Sequence, residues 1–362
     1  MKKLKIGNHV AQIPIIQGGM GVGISLSGLA SAVAEEGGIG VISAAGLGMI
    51  YKDLSNDFQS NSIEGLRIEI RKAKQKSKGI IGVNIMVALS NYSDLVRVSI
   101  EAGADLIISG AGLPLDLPKY LTPGCTTRLV PIVSSARAAR LICNKWLTHY
   151  NYLPDAILVE GPMAGGHLGF KPEQIFDDNY RLEKLIPEVL AAVNEMTQLT
   201  GHMIPVIAAG GVYSGNDIAK YFRMGASGVQ MGTRFVTTSE CDASEEFKQA
   251  YINARQDDVV IIKSPVGMPG RAIKSPFLDE VEAGKRHPKT CPVNCINACD
   301  IRTAPYCIMA SLTSALRGNF NRGYAFAGSN VWRTNKIITV KQLMSTILQE
   351  YNVSMKMTCQ LI

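Results

Sequence analysis

The chain has 362 residues, 46% of them hydrophobic and 19% charged, and its formal net charge is +7. This composition supports a large buried core, enough for one barrel-sized domain with an extension or for two ordinary domains. Aromatic residues make up only 6% of the chain, and the densest basic run, at 71–78, is typical of the solvated end of a helix, so no nucleic-acid partner is expected.

The N-terminal segment, Met1 to Lys5, is basic and lacks the apolar segment of a signal peptide. No uninterrupted apolar stretch is long enough to span a bilayer, so no membrane association is expected. These features predict a cytoplasmic protein. The chain contains 8 cysteines, which we expect to be thiols rather than disulfides in a reducing compartment.

Short apolar segments rich in Ile and Val alternate with segments of helical period as far as Phe235. Strands are predicted at 13–17, 38–43, 79–85, 106–110, 129–134, 156–161, 205–211 and 228–233. Helices are predicted between them at 26–36, 63–76, 94–102, 135–150, 182–199 and 217–224. Strands that are apolar nearly throughout are typical of a parallel sheet covered on both faces. This alternation predicts an α/β protein with a (β/α)8 TIM barrel.

An open doubly wound sheet is the alternative fold. It predicts fewer strands and usually a G-x-G-x-x-G fingerprint after the first one. The glycines at 18–23 follow the first predicted strand at the wrong spacing, because Ile24 occupies the third position after Gly21. The sequence also lacks a G-x-x-x-x-G-K-[ST] loop. The barrel is therefore favoured.

The alternation ends after Ser239. A helical segment at 244–254 is predicted to supply the last barrel helix, and the Pro- and Gly-rich segment 263–271 is predicted to be a loop over the barrel mouth. Two short helices are predicted beyond it, at 306–316 and 340–350. We see no separate core in this tail, so the predicted division is a barrel of residues 1–255 and an extension of residues 256–362 that packs on it.

Glycine-rich and polar segments follow the predicted strands, at the end of the barrel where active sites lie. They are 18–23, 82–84, 109–112, 134–135, 160–169, 209–215 and 230–234. The segments after the last two strands match the usual phosphate cradle of such barrels, built from backbone N–H groups and a helix N-terminus. They contain Gly210-Gly211, the segment 214–217 and Gly232-Thr233. Tight turns alone are the simpler interpretation, but a phosphate-bearing ligand is expected.

Three polar side chains at strand ends are candidates for chemistry. His167 follows two glycines and is a candidate general base. Asn84 and Gln230 carry carboxamides that can pair with the edge of a heteroaromatic ring or with a substrate. The alternative for each is structural, as a capping or packing imidazole or as an amide satisfied by the backbone.

The tail contains four cysteines with the spacing C-x3-C-x3-C-x7-C. This spacing matches neither the paired C-x2-C of zinc ribbons nor the usual ferredoxin runs. Free thiols and no metal are the expectation, and a metal ion or cluster is the alternative. The four residues are Cys291, Cys295, Cys299 and Cys307.

Five motifs occur in a recognisable order: Q-G-G-M-G at 17–21, G-V-N at 82–84, A-G-G-H at 164–167, A-A-G-G at 208–211 and G-V-Q-M-G-T-R-F at 228–235. Together they resemble the nitronate monooxygenase (2-nitropropane dioxygenase) family of flavin enzymes. The flavin-type enoyl-acyl-carrier-protein reductases share the same barrel and signature. The resemblance extends over 13–235, and the segment 265–271 resembles a lid of the family.

The resemblance implies one FMN and a set of residues that hold it. Its phosphate would lie near Gly210, Gly211, Gly232 and Thr233, and its ring across Gly19, Met20, Asn84, Ala164 and Gly165. The other implied cofactor-binding residues are Gly21, Ser135, Glu160, Gly166, Gln230 and Met231. The implied catalytic residue, facing the substrate, is His167.

Two activities follow from the resemblance. In the first, which we expect, an alkyl nitronate and O2 are converted to a carbonyl compound and nitrite, with His167 as base or as hydrogen-bond donor to the nitro group. In the second, NAD(P)H is the reductant for an enoyl thioester whose carbonyl His167 polarises. A homodimer is an open alternative to a monomer. Pro162 and Met163 depart from the acidic or polar pair that many members carry, which bears on substrate identity.

A non-flavin phosphate-binding barrel, such as a phosphosugar isomerase or a synthase, is the alternative from a different class. It normally carries acidic or lysine catalysts at its strand ends, where this chain has mainly Asn84, Ser109, Glu160, His167 and Gln230. A scaffold role is less favoured still, because it does not account for glycine-rich segments gathered at one end of the barrel.

Overall fold

The computed structural model describes residues 1–55, 57–291 and 293–359. Its strands are β1 (Leu4–Ile6), β2 (His9–Ala11), β3 (Ile15–Gln17), β4 (Ile39–Ser43), β5 (Ile80–Met86), β6 (Leu106–Gly110), β7 (Arg128–Val133), β8 (Ile157–Glu160), β9 (Gly166–His167), β10 (Val206–Ala209), β11 (Gly228–Met231), β12 (Val259–Lys263) and β13 (Pro269–Ile273). Strands β1 and β2 form an antiparallel hairpin, and β12, β13 and β9 form a small sheet.

The remaining strands form a closed parallel barrel in the order β10, β11, β3, β4, β5, β6, β7 and β8. Strand β10 closes it by pairing with β8, with Val206 opposite Ile157. Every residue of β4 and β6 is buried, as expected where helices cover the outer face of a parallel sheet. Each predicted barrel strand is present, and the predicted (β/α)8 fold is confirmed.

The helices are α1 (Ser27–Glu35), α2 (Leu47–Ile50), α3 (Phe58–Lys76), α4 (Tyr92–Glu101), α5 (Ala136–Tyr150), α6 (Leu182–Thr200), α7 (Gly215–Arg223), α8 (Thr233–Val236), α9 (Glu245–Asn253), α10 (Pro276–Glu282), α11 (Ile308–Leu316) and α12 (Val340–Cys359). The six predicted helices of the alternating region are present. Helix α3 begins earlier than predicted because the Asp57 side chain accepts a hydrogen bond from Ser60 N at 2.8 Å. Within the described residues, no helix combines the length and apolarity that a membrane crossing needs.

The last barrel helix is not the predicted segment 244–254. That segment is helical, as α9, but the C-terminal helix α12 packs against α7, α8 and α1 and so completes the outer ring. A ring contact between Phe222 and Tyr351, with centroids 5.8 Å apart, joins α7 to α12. Helix α9 instead brings Phe247 and Tyr251 to the barrel mouth.

The apolar side chains of the tail gather over the barrel mouth. A hydrophobic cluster over the barrel mouth is built mostly from tail residues, including Phe277, Ile296, Tyr306 and Tyr324. The rings of Tyr306 and Phe277 meet edge to face at 5.4 Å, a favoured aromatic geometry. Val22, from the segment after β3, is buried in the same cluster and ties it to the barrel.

The predicted lid over the barrel mouth is a β-hairpin rather than an irregular loop. Strands β12 and β13 pair with Lys263 opposite Pro269. The other edge of β13 pairs antiparallel with β9, and there Gly270 lies opposite His167. Proline at the first residue of β13 is compatible with pairing because no ladder hydrogen bond is lost there. The hairpin therefore fixes the backbone on which His167 stands.

Candidate functional site

A cavity of about 260 Å³ opens at the carboxyl ends of the barrel strands, under the hairpin and the tail cluster. It brings together nearly all the predicted site residues, although they come from the ends of five different barrel strands. Those that line it are Gly19, Met20, Gly21, Asn84, Glu160, Ala164, Gly165, Gly166, His167, Gly210, Gly211, Gln230, Met231, Gly232 and Thr233.

Ser135 is the one predicted cofactor-binding residue outside this cavity. Its Oγ accepts a hydrogen bond from Ala138 N at 3.2 Å and so caps the N-terminus of α5. The side chain lies instead against a neighbouring cavity. The serine after β7 therefore has a local structural role, which the capping position in the sequence also indicates.

His167 is half-buried at the cavity wall, and its ring is held from two sides. Its Nε2 lies 2.7 Å from Ser264 Oγ, and its ring meets that of Phe326 nearly edge on, with centroids 4.9 Å apart. Burial lowers the pKa of the imidazole to about 4. At neutral pH the ring is uncharged, so it can accept a proton or hydrogen-bond a ligand without carrying a charge.

Glu160 ends β8 and lines the same cavity, where its carboxyl group has no hydrogen-bond or ion-pair partner among the described residues. Burial raises the pKa of this carboxyl to about 7. Near neutral pH the group is thus divided between a neutral form, which can donate a hydrogen bond, and an anion. A buried, unpaired carboxyl of this kind is typical of functional sites.

Gly210 and Gly211 form a cradle after β10. Both have left-handed φ angles, of 90° and 89°, which residues with a side chain rarely adopt. A Cβ at Gly210 would lie 2.6 Å from the carbonyl oxygen of Gly161. Together with Gly232, these residues direct backbone N–H groups that donate to no backbone acceptor within the described part of the chain. Such a group of free amides suits an anionic oxygen ligand.

The N-terminus of α7 does not contribute to this cradle, contrary to the prediction from 214–217. Two donors there already have partners: Gly215 N donates to Glu350 Oε2 at 2.7 Å, and Tyr213 N donates to Asp217 Oδ2 at 3.1 Å. Glu350 belongs to α12, so the C-terminal helix occupies the position that an anion would need. The glycine amides remain as the donors for a ligand.

Two buried side-chain oxygens at the cavity lack partners. They are Gln230 Oε1 and Ser329 Oγ, and neither has a hydrogen bond within the described residues. A buried polar atom without a partner is costly, so each is expected to meet a ligand or water. Gly19 packs tightly against Asn84, because a Cβ at Gly19 would lie 2.3 Å from Asn84 Cβ. The two unpartnered oxygens suit a ligand with polar edges.

The tail supplies site residues that the sequence patterns did not indicate. Asn330 Nδ2 donates to Gly211 O at 2.7 Å, and Gly328 N donates to Thr233 Oγ1 at 3.1 Å, so this segment holds the cradle. Phe247 and Tyr251 could have been found, because their i,i+4 spacing on a helix places both on one face.

Arg271 fixes the loop that precedes His167. Its guanidinium is buried, and Nη1 donates to the carbonyl oxygens of Pro162 and Ala164, the latter at 2.8 Å. Burial lowers the pKa of Arg271 to about 10, so the group stays charged at neutral pH. It has no carboxylate partner among the described residues.

We expect Arg271→Met to lower the free energy of unfolding by about 3 kcal/mol, because two buried carbonyl oxygens lose their donor. Chemical denaturation measures this change. Arg302→Met is the matched control, since Arg302 has a side chain 84% exposed and pairs only with Asp300. Equal stability of the two variants would contradict this role for Arg271.

The tail cysteines are free thiols in the part of the chain described. Cys295 is buried in the tail cluster, and burial raises its pKa to about 12. Among the described residues, no group of three His, Cys, Asp or Glu side chains is placed to hold a metal ion.

Comparison with known proteins identifies the family. The family model described as nitronate monooxygenase matches residues 2–350. A probable nitronate monooxygenase from Bacillus subtilis is 26% identical, over 93% of this chain and 95% of its own. A Mycobacterium tuberculosis protein named (3aS,4S,5R,7aS)-5-hydroxy-7a-methyl-1-oxo-octahydro-1H-indene-4-carboxyl-CoA dehydrogenase is 29% identical over 75% of this chain. The match spans 66% of that relative's length.

Solved structures share the fold over nearly the whole chain. FabK from Thermotoga maritima superposes with a TM-score of 0.73 at 28% identity, covering 97% of this chain and 96% of that one. Nitroalkane oxidase from Streptomyces ansochromogenes has a TM-score of 0.72 at 21% identity, covering 96% and 98%, and shares the fold. The chain is thus an oxidoreductase-type barrel that belongs to the nitronate monooxygenase family.

Proposed function

We propose that this protein is an FMN-dependent oxidoreductase that oxidises alkyl nitronates with O2 to carbonyl compounds and nitrite. The observation that carries the proposal is a single cavity whose wall contains both a cradle of free glycine amides and an uncharged, half-buried His167. Family membership narrows the chemistry to oxidation and reduction.

The residues present fit an FMN. The amides of Gly210, Gly211 and Gly232 would hold the phosphate, and Gln230 and Ser329 would give their unpartnered oxygens to the polar edges of the cofactor. When bound, the flavin accepts electrons from a substrate and passes them to O2. The protein's part is to position the substrate, to exclude water and to control protons.

His167 is the group that this chain offers to the reacting carbon or nitro group. Because its ring is neutral and held by Ser264 and Phe326, it can take a proton from a nitroalkane or hold a nitro oxygen by a hydrogen bond. Glu160 faces the same space. In its protonated form it can donate a hydrogen bond to an anionic nitronate, and in its ionised form it would repel that anion.

This pair predicts a pH dependence of kcat/KM for preformed propyl-2-nitronate. We expect kcat/KM to fall as pH rises through the Glu160 pKa of about 7, because the ionised carboxylate repels the anionic substrate. The slope should approach about tenfold for each pH unit. His167, with a pKa of about 4, stays neutral over this range and does not contribute.

The measurement compares pH profiles of the wild type and of Glu160→Gln, whose amide cannot ionise. The variant should lack the decline on the alkaline side. A decline of the same size in both proteins would show that another group titrates and that Glu160 does not face the nitronate.

A flavin-type reductase acting on enoyl thioesters with NAD(P)H is the second candidate. It is favoured by the similarity to a protein named as a carboxyl-CoA dehydrogenase and by the 28% identity to FabK. In this alternative the neutral His167 would donate a hydrogen bond to the thioester carbonyl, and the same cavity would hold the cofactor.

Anaerobic mixing of the protein with each substrate distinguishes the two candidate functions. Under our proposal, propyl-2-nitronate bleaches the flavin absorbance without NAD(P)H, and admission of O2 restores it with release of nitrite. If nitronate leaves the absorbance unchanged while NADH bleaches it and crotonyl thioester restores it, the reductase alternative replaces the proposal.

A further inference from the structure

A second cavity, of about 380 Å³, lies beside the first. The two cavities share four lining residues, and two of these are the ionisable groups of the proposed site. The shared residues are Ala111, Ile132, Glu160 and His167. The second cavity therefore adjoins the space at His167.

Beyond Glu160 and His167, the walls of this second cavity come from four parts of the chain. They are the segment 111–113 after β6, the end of β7 with the start of α5, the segment after β9, and Met268 near the tip of the hairpin. In the segment after β9, the rings of Phe170 and Tyr180 meet edge to face at 6.2 Å and stiffen that wall. The cavity is thus built from packed elements.

The chemistry of the lining indicates what it would bind. Beyond the shared residues, the apolar side chains are Leu113, Val133, Ala138, Phe170 and Met268, and the polar ones are Ser134, Ser135, Gln174 and Tyr180. Among the described residues that line it there is no Lys or Arg, so no side-chain cation is available for a phosphate. The lining suits an uncharged chain that is mainly apolar and carries a few hydrogen-bonding groups.

The volume of the second cavity also suits an organic ligand. Cavities of about 300–1,000 Å³ are the usual size for organic ligands, and this one falls in that range on its own. If the first cavity holds the cofactor, a three-carbon nitronate over the flavin would leave the second cavity without a function. An elongated substrate would fill both the space at His167 and the second cavity.

We propose that the second cavity binds an uncharged chain extending from the reacting group, so that the preferred substrate is an elongated alkyl or acyl compound. This inference rests on the proposed function for the placement of the reacting group at His167. It assigns Ala138, in the first turn of α5, and Leu113, 39% exposed at the edge, to substrate selection.

The test is a chain-length series of alkyl 1-nitronates, from propyl to octyl, assayed for kcat/KM with the full-length holoenzyme. In the wild type we expect kcat/KM to rise by about tenfold or more from propyl to octyl, because each added methylene leaves water for an apolar wall. Ala138→Leu should flatten this rise by filling the cavity. Leu113→Trp narrows the same cavity from its edge. It tests the same effect on the chain-length dependence if Ala138→Leu folds poorly.

Ala191→Leu is the matched control, because Ala191 is exposed on α6 and lines neither cavity. It should keep the chain-length dependence of the wild type. A flat or falling series in the wild type, or equal losses with propyl and octyl substrates in the narrowed variants, would overturn the inference while leaving nitronate oxidation intact.

Different outcomes contradict chain binding in the second cavity and nitronate oxidation. If no nitronate is oxidised, the same series is run with NADH and enoyl thioesters from four to twelve carbons. A rise with chain length that the narrowed variants flatten would then support the second cavity and refute nitronate oxidation. No rise with either series would overturn the second cavity as a chain-binding site.

Discussion

Replacing His167 with alanine is expected to lower kcat by about 10²–10⁴-fold, the range for loss of a positioned acid–base group. The FMN content should stay at the wild-type level, because the cradle of glycine amides lies at a different part of the cavity wall. Steady-state nitrite release gives kcat, and the flavin spectrum of the same sample gives the cofactor content. Ser264 Oγ keeps a partner in the variant, since it also accepts from Val266 N at 3.3 Å.

His149→Ala is the control for this experiment. His149 is exposed near the end of α5, where its ring contacts only its own helix, and its removal should leave kcat unchanged. Full turnover of His167→Ala would make His167 a packing residue. Loss of FMN together with turnover would make it a cofactor ligand instead.

Gly210→Ala is expected to abolish stable FMN binding, with a loss of affinity of about 100-fold or more. A left-handed conformation costs an alanine about 1–2 kcal/mol, and the new Cβ also meets a backbone oxygen. That oxygen, Gly161 O, is 2.6 Å from the Cβ position and belongs to the backbone, so the cradle must shift. FMN titration followed by fluorescence, together with the FMN retained after gel filtration, measures the effect.

Gly201→Ala separates backbone strain from closure of the cradle. Gly201 has a φ of 73° at the end of α6, and a Cβ there meets no atom within 4 Å. The control should lose some thermal stability and keep its FMN. If both variants retain FMN, or both lose it to the same extent, the cradle at Gly210 does not hold the cofactor.

The sequence predicts the barrel because short apolar strands alternate regularly with helices, and each kind of element has its own spacing of apolar residues. It also predicts which strand ends meet, since parallel strands bring their carboxyl ends to one face. This is why the predicted residues from Gly19 to Thr233 line one cavity. The helix-capping role of Ser135 is not distinguishable in the sequence, because a serine after a strand has the same pattern whether it meets a ligand or caps the next helix.

Contacts between distant segments could not be predicted in this way. Helix α12 takes the last place in the barrel ring although about one hundred residues separate it from β11, and its Glu350 occupies the N-terminus of α7. The hairpin that carries Ser264 and Arg271 pairs with β9 from a similar distance in sequence. No local period encodes such pairings, because they depend on how the tail folds back over the mouth.

The loop at 162–163, where this chain departs from the family pattern, shows the same limit. The carbonyl oxygen of Pro162 accepts from Arg271, and that of Met163 accepts from Ser329 N at 3.1 Å, so the loop is held by the tail. Met163 itself is 43% exposed, and its side chain lies against Gly211. Its position near the cradle depends on the fold and not on any local pattern.

The most direct test of the proposed function is the visible spectrum of the purified protein, read with the identity of any flavin released on heating. The account predicts a yellow protein with oxidised-flavin absorbance and about one FMN per chain, and restoration of that absorbance when FMN is added to stripped protein. A colourless protein that FMN does not reconstitute would contradict the assignment of this cavity to a flavin and, with it, the proposed oxidation of nitronates.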